Sequence, residues 1–275
     1  MRLKVIIGEI TNLLAWRNLP VQKNDIVLDV GSGDNPHVRA DVLCDGSLWD
    51  SGERSGNYDL IIDGRPFVFA NGCKLPFKNK AFDFVICRHL LEHINNPEEL
   101  LDELMRVGKA GYIECPSSLM EKLYGWDFHC QLVDCENDIL FIKPKEKNVN
   151  YGILPVEIIK DPYWEKMVKK KSHLFTVKYI WKHKIKYRTA GKVFSEIDKK
   201  EEKISFIPKR SLRRMIRWWI TNAVRFFVAK PKFDFDQILA CPDCHVDLII
   251  GNTSIVCSRC NESYVVIDDK CYKFI

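Results

Sequence analysis

The sequence predicts an α/β protein: a doubly wound sheet of seven strands, then a basic, partly helical segment and a small C-terminal unit. Three observations carry that expectation. Five short apolar runs, rich in β-branched residues, alternate with stretches of helical spacing between residues 25 and 116. The first run stops at Gly31-Ser32-Gly33, a turn of the kind a buried parallel strand makes beneath a ligand. Four cysteines stand as two C-x-x-C pairs beyond residue 240.

Residues 1–20 open with a helical pattern (Leu3, Ile6, Ile7, Ile10, Leu13, Leu14) that Pro20 ends. Strands follow at Ile26–Val30, Ala40–Asp45, Phe67–Ala70, Phe82–Cys87 and Gly111–Cys115. One helix is expected through Leu90, Leu91 and Ile94. Another opens at Pro97-Glu98-Glu99 and runs through Leu100, Leu101, Leu104 and Val107. Gln131–Cys135 and Ile139–Ile142 flank Glu136-Asn137-Asp138 as an antiparallel hairpin, expected to close the sheet at seven strands. A further helix is expected after Pro208 and stops at Pro231. The domain reading is therefore 1–145, 146–236 and 237–275.

The 275 residues carry 42 Lys+Arg against 37 Asp+Glu, and 46% of them are hydrophobic, which suffices for a core and excludes wholesale disorder. The net charge of +5 conceals an asymmetry: residues 160–232 hold 22 Lys+Arg and 6 Asp+Glu, whereas the rest of the chain is acidic. No apolar run reaches the ~18–20 residues needed to cross a bilayer, and Glu9 interrupts what a signal peptide would keep apolar. A cytoplasmic chain is expected. Eleven cysteines, six of them scattered and mostly within apolar runs, do not make a disulfide framework.

Three segments in order, Val27-Leu28-Asp29-Val30-Gly31-Ser32-Gly33, Ala70-Asn71-Gly72-Cys73-Lys74-Leu75-Pro76-Phe77 and Phe82-Asp83-Phe84-Val85-Ile86-Cys87-Arg88-His89-Leu90-Leu91-Glu92-His93, resemble the class I S-adenosylmethionine-dependent methyltransferases of the type-11 group. The resemblance covers about residues 25–145. It implies S-adenosylmethionine as cofactor, with Gly31 and Gly33 beneath its methionine moiety and Asp29 supporting their turn. By the same resemblance Asp45 would hold the ribose hydroxyls, with Asp41 as the rival position. Asn71 and Gly72 would meet adenine, Leu75 would pack near its ring, and His89 would line the space beside the sulfonium. Asn71 stands where the family usually has Asp; its side-chain carbonyl still accepts a hydrogen bond. Methyl transfer asks the protein to align an acceptor and sometimes to remove a proton, for which His89, His93 and His129 are the candidates. The bland alternative is that such histidines bond backbone or a neighbour such as Glu92. Cys115 reads as a buried strand-end thiol rather than a nucleophile.

Cys241-Pro-Asp-Cys244 and Cys257-Ser-Arg-Cys260 are knuckles that turn four thiolates toward one point, the ligand set of a structural Zn²⁺ with no open position. Adjacent Cys244 makes His245 redundant as a ligand. The stretch Ile238–Pro242, with Tyr264 downstream, also resembles the small zinc-ribbon protein that activates RNA- and protein-directed methyltransferases as a separate subunit; here it would be fused. In the basic segment, Leu212, Ile216, Trp219, Ala223 and Phe227 share a helical face opposite Arg210, Arg213, Arg214 and Arg217. That face suits an anionic membrane surface or packing on the protein's own sheet. Lysines interleaved with Tyr179, Trp181 and Tyr187 offer an RNA track instead. The expected acceptor is a small molecule, a lipid-linked intermediate or a glycan precursor. RNA methylation is the alternative, and a non-catalytic scaffold whose ribbon recruits a partner is the reading from another class.

Overall fold

The computed structural model describes residues 19–46, 60–146, 149–190 and 233–275. The helix expected at the N-terminus falls on residues 1–18, and that between Pro208 and Pro231 falls on 191–232; both lie outside the described residues.

Five parallel strands appear where the apolar runs stand: β1 (Val27–Val30), β2 (Val42–Asp45), β3 (Phe67–Phe69), β4 (Phe82–Arg88) and β5 (Gly108–Pro116). They lie side by side in the order β3-β2-β1-β4-β5. Burial on both faces explains their composition, because alternate residues feed opposite cores. Leu28, Val30, Val42, Val85 and Ile113 face one, while Val27, Leu43, Phe67, Phe84 and Ile86 face the other. Helix α1 (Pro97–Val107) follows β4, with Pro at its start, Glu98 and Glu99 in its first turn and Arg106 in its last, as its dipole prefers. Its buried stripe of Leu100, Leu101, Leu104 and Val107 packs on the first core, each residue contributing roughly 1.5–3 kcal/mol.

Three expectations are corrected. The helix through Leu90, Leu91 and Ile94 is only a single 3₁₀ turn, Leu91–His93, after which Ile94 is extended and Pro97 starts α1 afresh. The hairpin forms, as β6 (Gln131–Glu136) and β7 (Ile139–Pro144), with Asn137 and Asp138 at φ 50° and 58°, the left-handed pair of a tight hairpin turn. It does not close the main sheet, however, but makes a separate three-stranded sheet with β9 (Tyr187–Thr189). The place beside β5 goes to β8 (Thr176–Lys182), which pairs with it antiparallel from Ala110↔Lys182 to Pro116↔Thr176. β8 comes from the lysine-rich segment. Its Val177, Tyr179 and Trp181 point into the core and Lys178, Ile180 and Lys182 point out, so the lysines are the solvent face of an edge strand. Gly111 makes room for this: a Cβ there would stand 2.7 Å from the Trp181 ring.

The C-terminal unit is a meander of β10 (Leu248–Ile250), β11 (Ser254–Cys257), β12 (Ser263–Asp268) and β13 (Cys271–Lys273). β13 pairs parallel with β3 (Cys271↔Phe67, Tyr272↔Val68, Lys273↔Phe69), extending the sheet to ten strands. The three segments expected as separate domains therefore share one sheet. Flanking backbone bonds secure the junction, Lys78 N–H to Ile238 O (2.9 Å), Ala240 N–H to Pro76 O (3.0 Å) and Phe274 N–H to Phe69 O (2.8 Å). The pairs Lys74–Asp243 and Lys78–Asp247 are exposed and add little.

Replacing Trp181 with Ala is expected to cost about 3–5 kcal/mol in chemical denaturation, as for a core tryptophan, against under ~1 kcal/mol for Ile180→Ala on the outer face. Equal small effects would contradict the placement of β8.

Candidate functional site

The order of the parallel strands reverses between β1 and β4, where successive crossovers leave in opposite directions and a crevice opens at the carboxyl ends. The glycine turn lies there. Gly31 (φ 74°) and Gly33 (φ 51°) adopt the left-handed conformation that glycine takes without penalty, and a Cβ on Gly31 would press on Leu90 at 3.2 Å. Gly31 N–H and Ser32 N–H both donate to Cys44 O (2.9 and 3.1 Å), and Gly33 N–H donates to Asp45 Oδ2 (2.8 Å). Asp29 is buried beneath and accepts from His37 N–H at 2.6 Å. Burial raises its pKa, with the Arg88 charge opposing. Arg88, at the end of β4, donates to Asn35 O at 2.7 Å and ties the loop to the neighbouring strand.

The resulting cleft holds about 740 Å³ and is lined by Gly31, Gly33, Asp45, Asn71 and Gly72 on the turn side and by His89, Glu92, His93 and His129 beyond. Asp45 is thus at the cleft. Its rival Asp41 is not: it accepts Val27 N–H and pairs with buried Arg39 at 2.8 Å, bracing the start of β1. Asn71 bonds Cys73 N–H through Oδ1 at 2.9 Å. Leu75 departs from expectation. It is fully buried in the core and is not among the lining residues, because Glu103 accepts its N–H (2.7 Å) and Arg106 donates to its carbonyl (2.7 Å), turning the segment inward.

The three candidate histidines do converge. His89 sits at φ 53°, an uncommon conformation for a non-glycine residue, and its ring is 57% exposed. Its Nδ1 is 3.3 Å from Glu92 Oε1 and its Nε2 3.7 Å from Glu114 Oε1. Burial works against the charged ring, but the Glu92 bond and the two carboxylate charges outweigh it, so the His89 pKa rises. Glu92 is wholly buried; burial opposes its charge, yet His89 and then His93 and His129 hold its pKa below the ordinary value. Desolvation drives His93 down to about 4. Its ring stacks on Phe128 (5.6 Å) and meets His129 edge-on (4.5 Å), and the backbone of Phe128 hydrogen-bonds it. His129 Nδ1 bonds Glu121 Oε1, and Lys145 Nζ stands 2.6 Å from Glu121 Oε2. Glu92 Oε2 and His93 Nδ1 are buried with no hydrogen-bond partner among the described residues. The sequence signalled Glu92 through its position three residues after His89, but nothing in it signalled Glu121, Lys145 or Glu114.

Cys241, Cys244, Cys257 and Cys260 bring their sulfurs within 4.8 Å of one another. The Cys241–Cys260 separation is 3.8 Å, about the edge of a tetrahedron with Zn–S bonds of ~2.3 Å. Knuckle amides point at sulfur: Cys244 N–H to Cys241 (3.4 Å), Arg259 and Cys260 N–H to Cys257 (3.4 and 3.5 Å). The Cys260 amide, helped by that of Arg259, pulls the Cys257 thiol down to about 6 against desolvation. These residues fit a structural Zn²⁺. His245 stays out of the set, its Nε2 lying 3.2 Å from Pro242 O.

Residues 52–113 match the family model of a methyltransferase domain. No curated protein matches the chain. Among solved structures, the complex between the Haloferax volcanii Trm112 methyltransferase activator and a methyltransferase is similar at 16% identity over 64% of this chain and 89% of that one, with a TM-score of 0.40. A Thermotoga maritima S-adenosylmethionine-dependent methyltransferase is 19% identical (39% of this chain, 50% of that one, TM-score 0.30). A Bacillus halodurans methyltransferase is likewise 19% identical (44% and 62%, TM-score 0.32). The chain thus spans less than two thirds of the last two proteins.

Stripping the metal with a mercurial reagent is expected to release one Zn²⁺ per chain and lower the unfolding midpoint by on the order of 10 °C. A chain as stable without metal as with it would contradict a structural role for the knuckles.

Proposed function

We propose that this chain, whose residues 52–113 match a methyltransferase domain, transfers a methyl group from S-adenosylmethionine to a hydroxyl of a small acceptor seated against His89. The observation that carries the reading is one cleft at the strand reversal that joins the glycine turn and Asp45 to the histidine cluster. Bound there, the cofactor supplies a methyl group already activated on a sulfonium. The Cβ-free turn lets its methionine part approach the backbone, Asp45 offers carboxylate oxygens to the ribose hydroxyls, and Asn71 with Gly72 faces the adenine.

His89 is the proton acceptor in this reading. Glu92 holds its Nδ1 side, which leaves Nε2, the nitrogen farther from its carboxylate neighbour, to take the acceptor's proton. Its strained backbone places the ring at the exit of β4, facing the same cleft as the glycines. Trp126 and Phe128, packed on His129 and His93, line the far wall and limit what enters.

Two of the three aromatics of the RNA alternative speak against it, since Tyr179 and Trp181 are 4% and 3% exposed and serve the core, while Tyr187 is half-buried. The amphipathic helix expected around Trp219 falls on residues outside the described ones. No helix among the described residues is long and apolar enough to cross a membrane.

The test is transfer of radiolabelled methyl to cell extract fractionated into small molecules, lipids and RNA. Label is expected in the small-molecule or lipid-linked fraction. His89→Gln should lower turnover about 10²–10⁴-fold with cofactor affinity unchanged, and Asp45→Ala should weaken cofactor binding about ten- to a hundredfold. Label confined to RNA, or full turnover by His89→Gln, would overturn the reading.

A further inference from the structure

Two of the three histidines brought into the cleft take no part in the proton transfer above, and the Glu92 carboxylate keeps one buried oxygen with no hydrogen-bond partner among the described residues. We propose that Glu92, His93 and His129 bind a divalent transition-metal cation at the acceptor end of the cleft, with Glu121 orienting His129 as a positioning residue.

The donors are already gathered: one atom from each of the three residues lies within 4.8 Å of the others. A cation bound at ~2.0–2.2 Å needs its ligands roughly 3.0–3.5 Å apart, a contraction that small side-chain rotations supply. Two of the donor atoms have no hydrogen-bond partner among the described residues, Glu92 Oε2 and His93 Nδ1, although Glu92 is 0% exposed. With Glu121 accepting a hydrogen bond from His129 Nδ1–H, Nε2 is left as the donor nitrogen. A bond between His93 and its neighbouring Glu92 would satisfy both atoms, whereas neither has a partner among the described residues.

Supporting contacts are those that a metal-binding histidine needs. The Glu121–His129 bond is the carboxylate–histidine arrangement that fixes ring tautomer and orientation, and Lys145 neutralises Glu121 so that its charge does not compete. Phe128 stacks on His93 and packs against His129, holding both rings. Glu92 is anchored through its other oxygen by His89. Two nitrogens and one carboxylate oxygen leave further coordination positions open, and all three residues line the cleft, so an acceptor bearing an oxygen donor would complete the shell. That last role rests on the methyl-transfer reading; the cation site itself does not. Its nitrogen and oxygen donors also separate it from the thiolate knuckles, which prefer zinc.

The experiment titrates Co²⁺ into the full chain with its knuckles already loaded with Zn²⁺, followed by visible absorption. One equivalent is expected to bind at micromolar concentration, giving d–d bands without the near-ultraviolet thiolate charge-transfer band. Glu92→Gln and His129→Ala should each weaken binding at least tenfold, and Glu121→Gln ten- to a hundredfold, as outer-shell partners do. Glu92→Gln preserves shape, and near-ultraviolet circular dichroism verifies its fold. Absence of these bands at millimolar Co²⁺, their appearance only with thiolate charge transfer, or binding unchanged in the folded Glu92→Gln and His129→Ala variants would overturn the site. Thermal stabilisation by S-adenosylhomocysteine is measured alongside. Its presence without cobalt binding overturns this inference alone, whereas cobalt binding without it supports the site and counts against the methyl-transfer reading.

Discussion

The site depends on one topological constraint, the reversal of strand order between β1 and β4. Where neighbouring parallel strands send their connections to opposite faces, no connection covers the carboxyl ends, and a crevice follows. The chain uses that crevice by ending β1 in two left-handed glycines and β4 in a left-handed histidine, so that backbone rather than side chain lines one wall and an imidazole stands at the other. Asp29, buried below and bonded to His37 N–H, fixes the loop that carries the glycines. Replacing the reversal with a simple progression of strands would leave the same residues without a common cavity.

The C-terminal ribbon belongs to this machinery through backbone pairing rather than through surface charge. β13 adds a strand to the exposed edge of β3 and so removes an unpaired edge, and the knuckles in turn hold the meander that presents β13. The junction lies close to the cleft: Phe69 accepts the Phe274 amide, and the next residues in line, Ala70 to Gly72, line the cavity together with Ile275. A metal-stabilised module thereby supports the wall of the site by ordinary sheet physics, in which cooperative ladder bonds carry what the exposed Lys–Asp pairs do not.

Legibility in the sequence tracked how local each signal was. The five parallel strands were plain because burial on both faces writes unbroken apolar runs, and the hairpin was plain because Asn137-Asp138 suits a turn of left-handed residues. β8 was hidden because its buried Tyr179 and Trp181 alternate with lysines, a pattern shared by an edge strand and a cationic track. Only its partner β5 decides between them. The burial of Leu75 was hidden for a similar reason: Glu103 and Arg106, about thirty residues on, turn its backbone inward. In the cleft, His89, His93 and His129 stood out as residues suited to proton removal and Glu92 only as a bonding neighbour, whereas Glu121 reaches His129 only once the chain has folded. The docking of β13 rests on three residues, too few to carry a pattern.

The claim on which the account turns is that the glycine-lined crevice receives a sulfonium nucleoside. Isothermal titration calorimetry of the zinc-loaded chain with S-adenosylmethionine measures it most directly. The account predicts saturable binding at one site per chain, diminished when Gly31 is replaced by valine, whose side chain would collide with Leu90. A flat titration at millimolar ligand with the folded protein would contradict it.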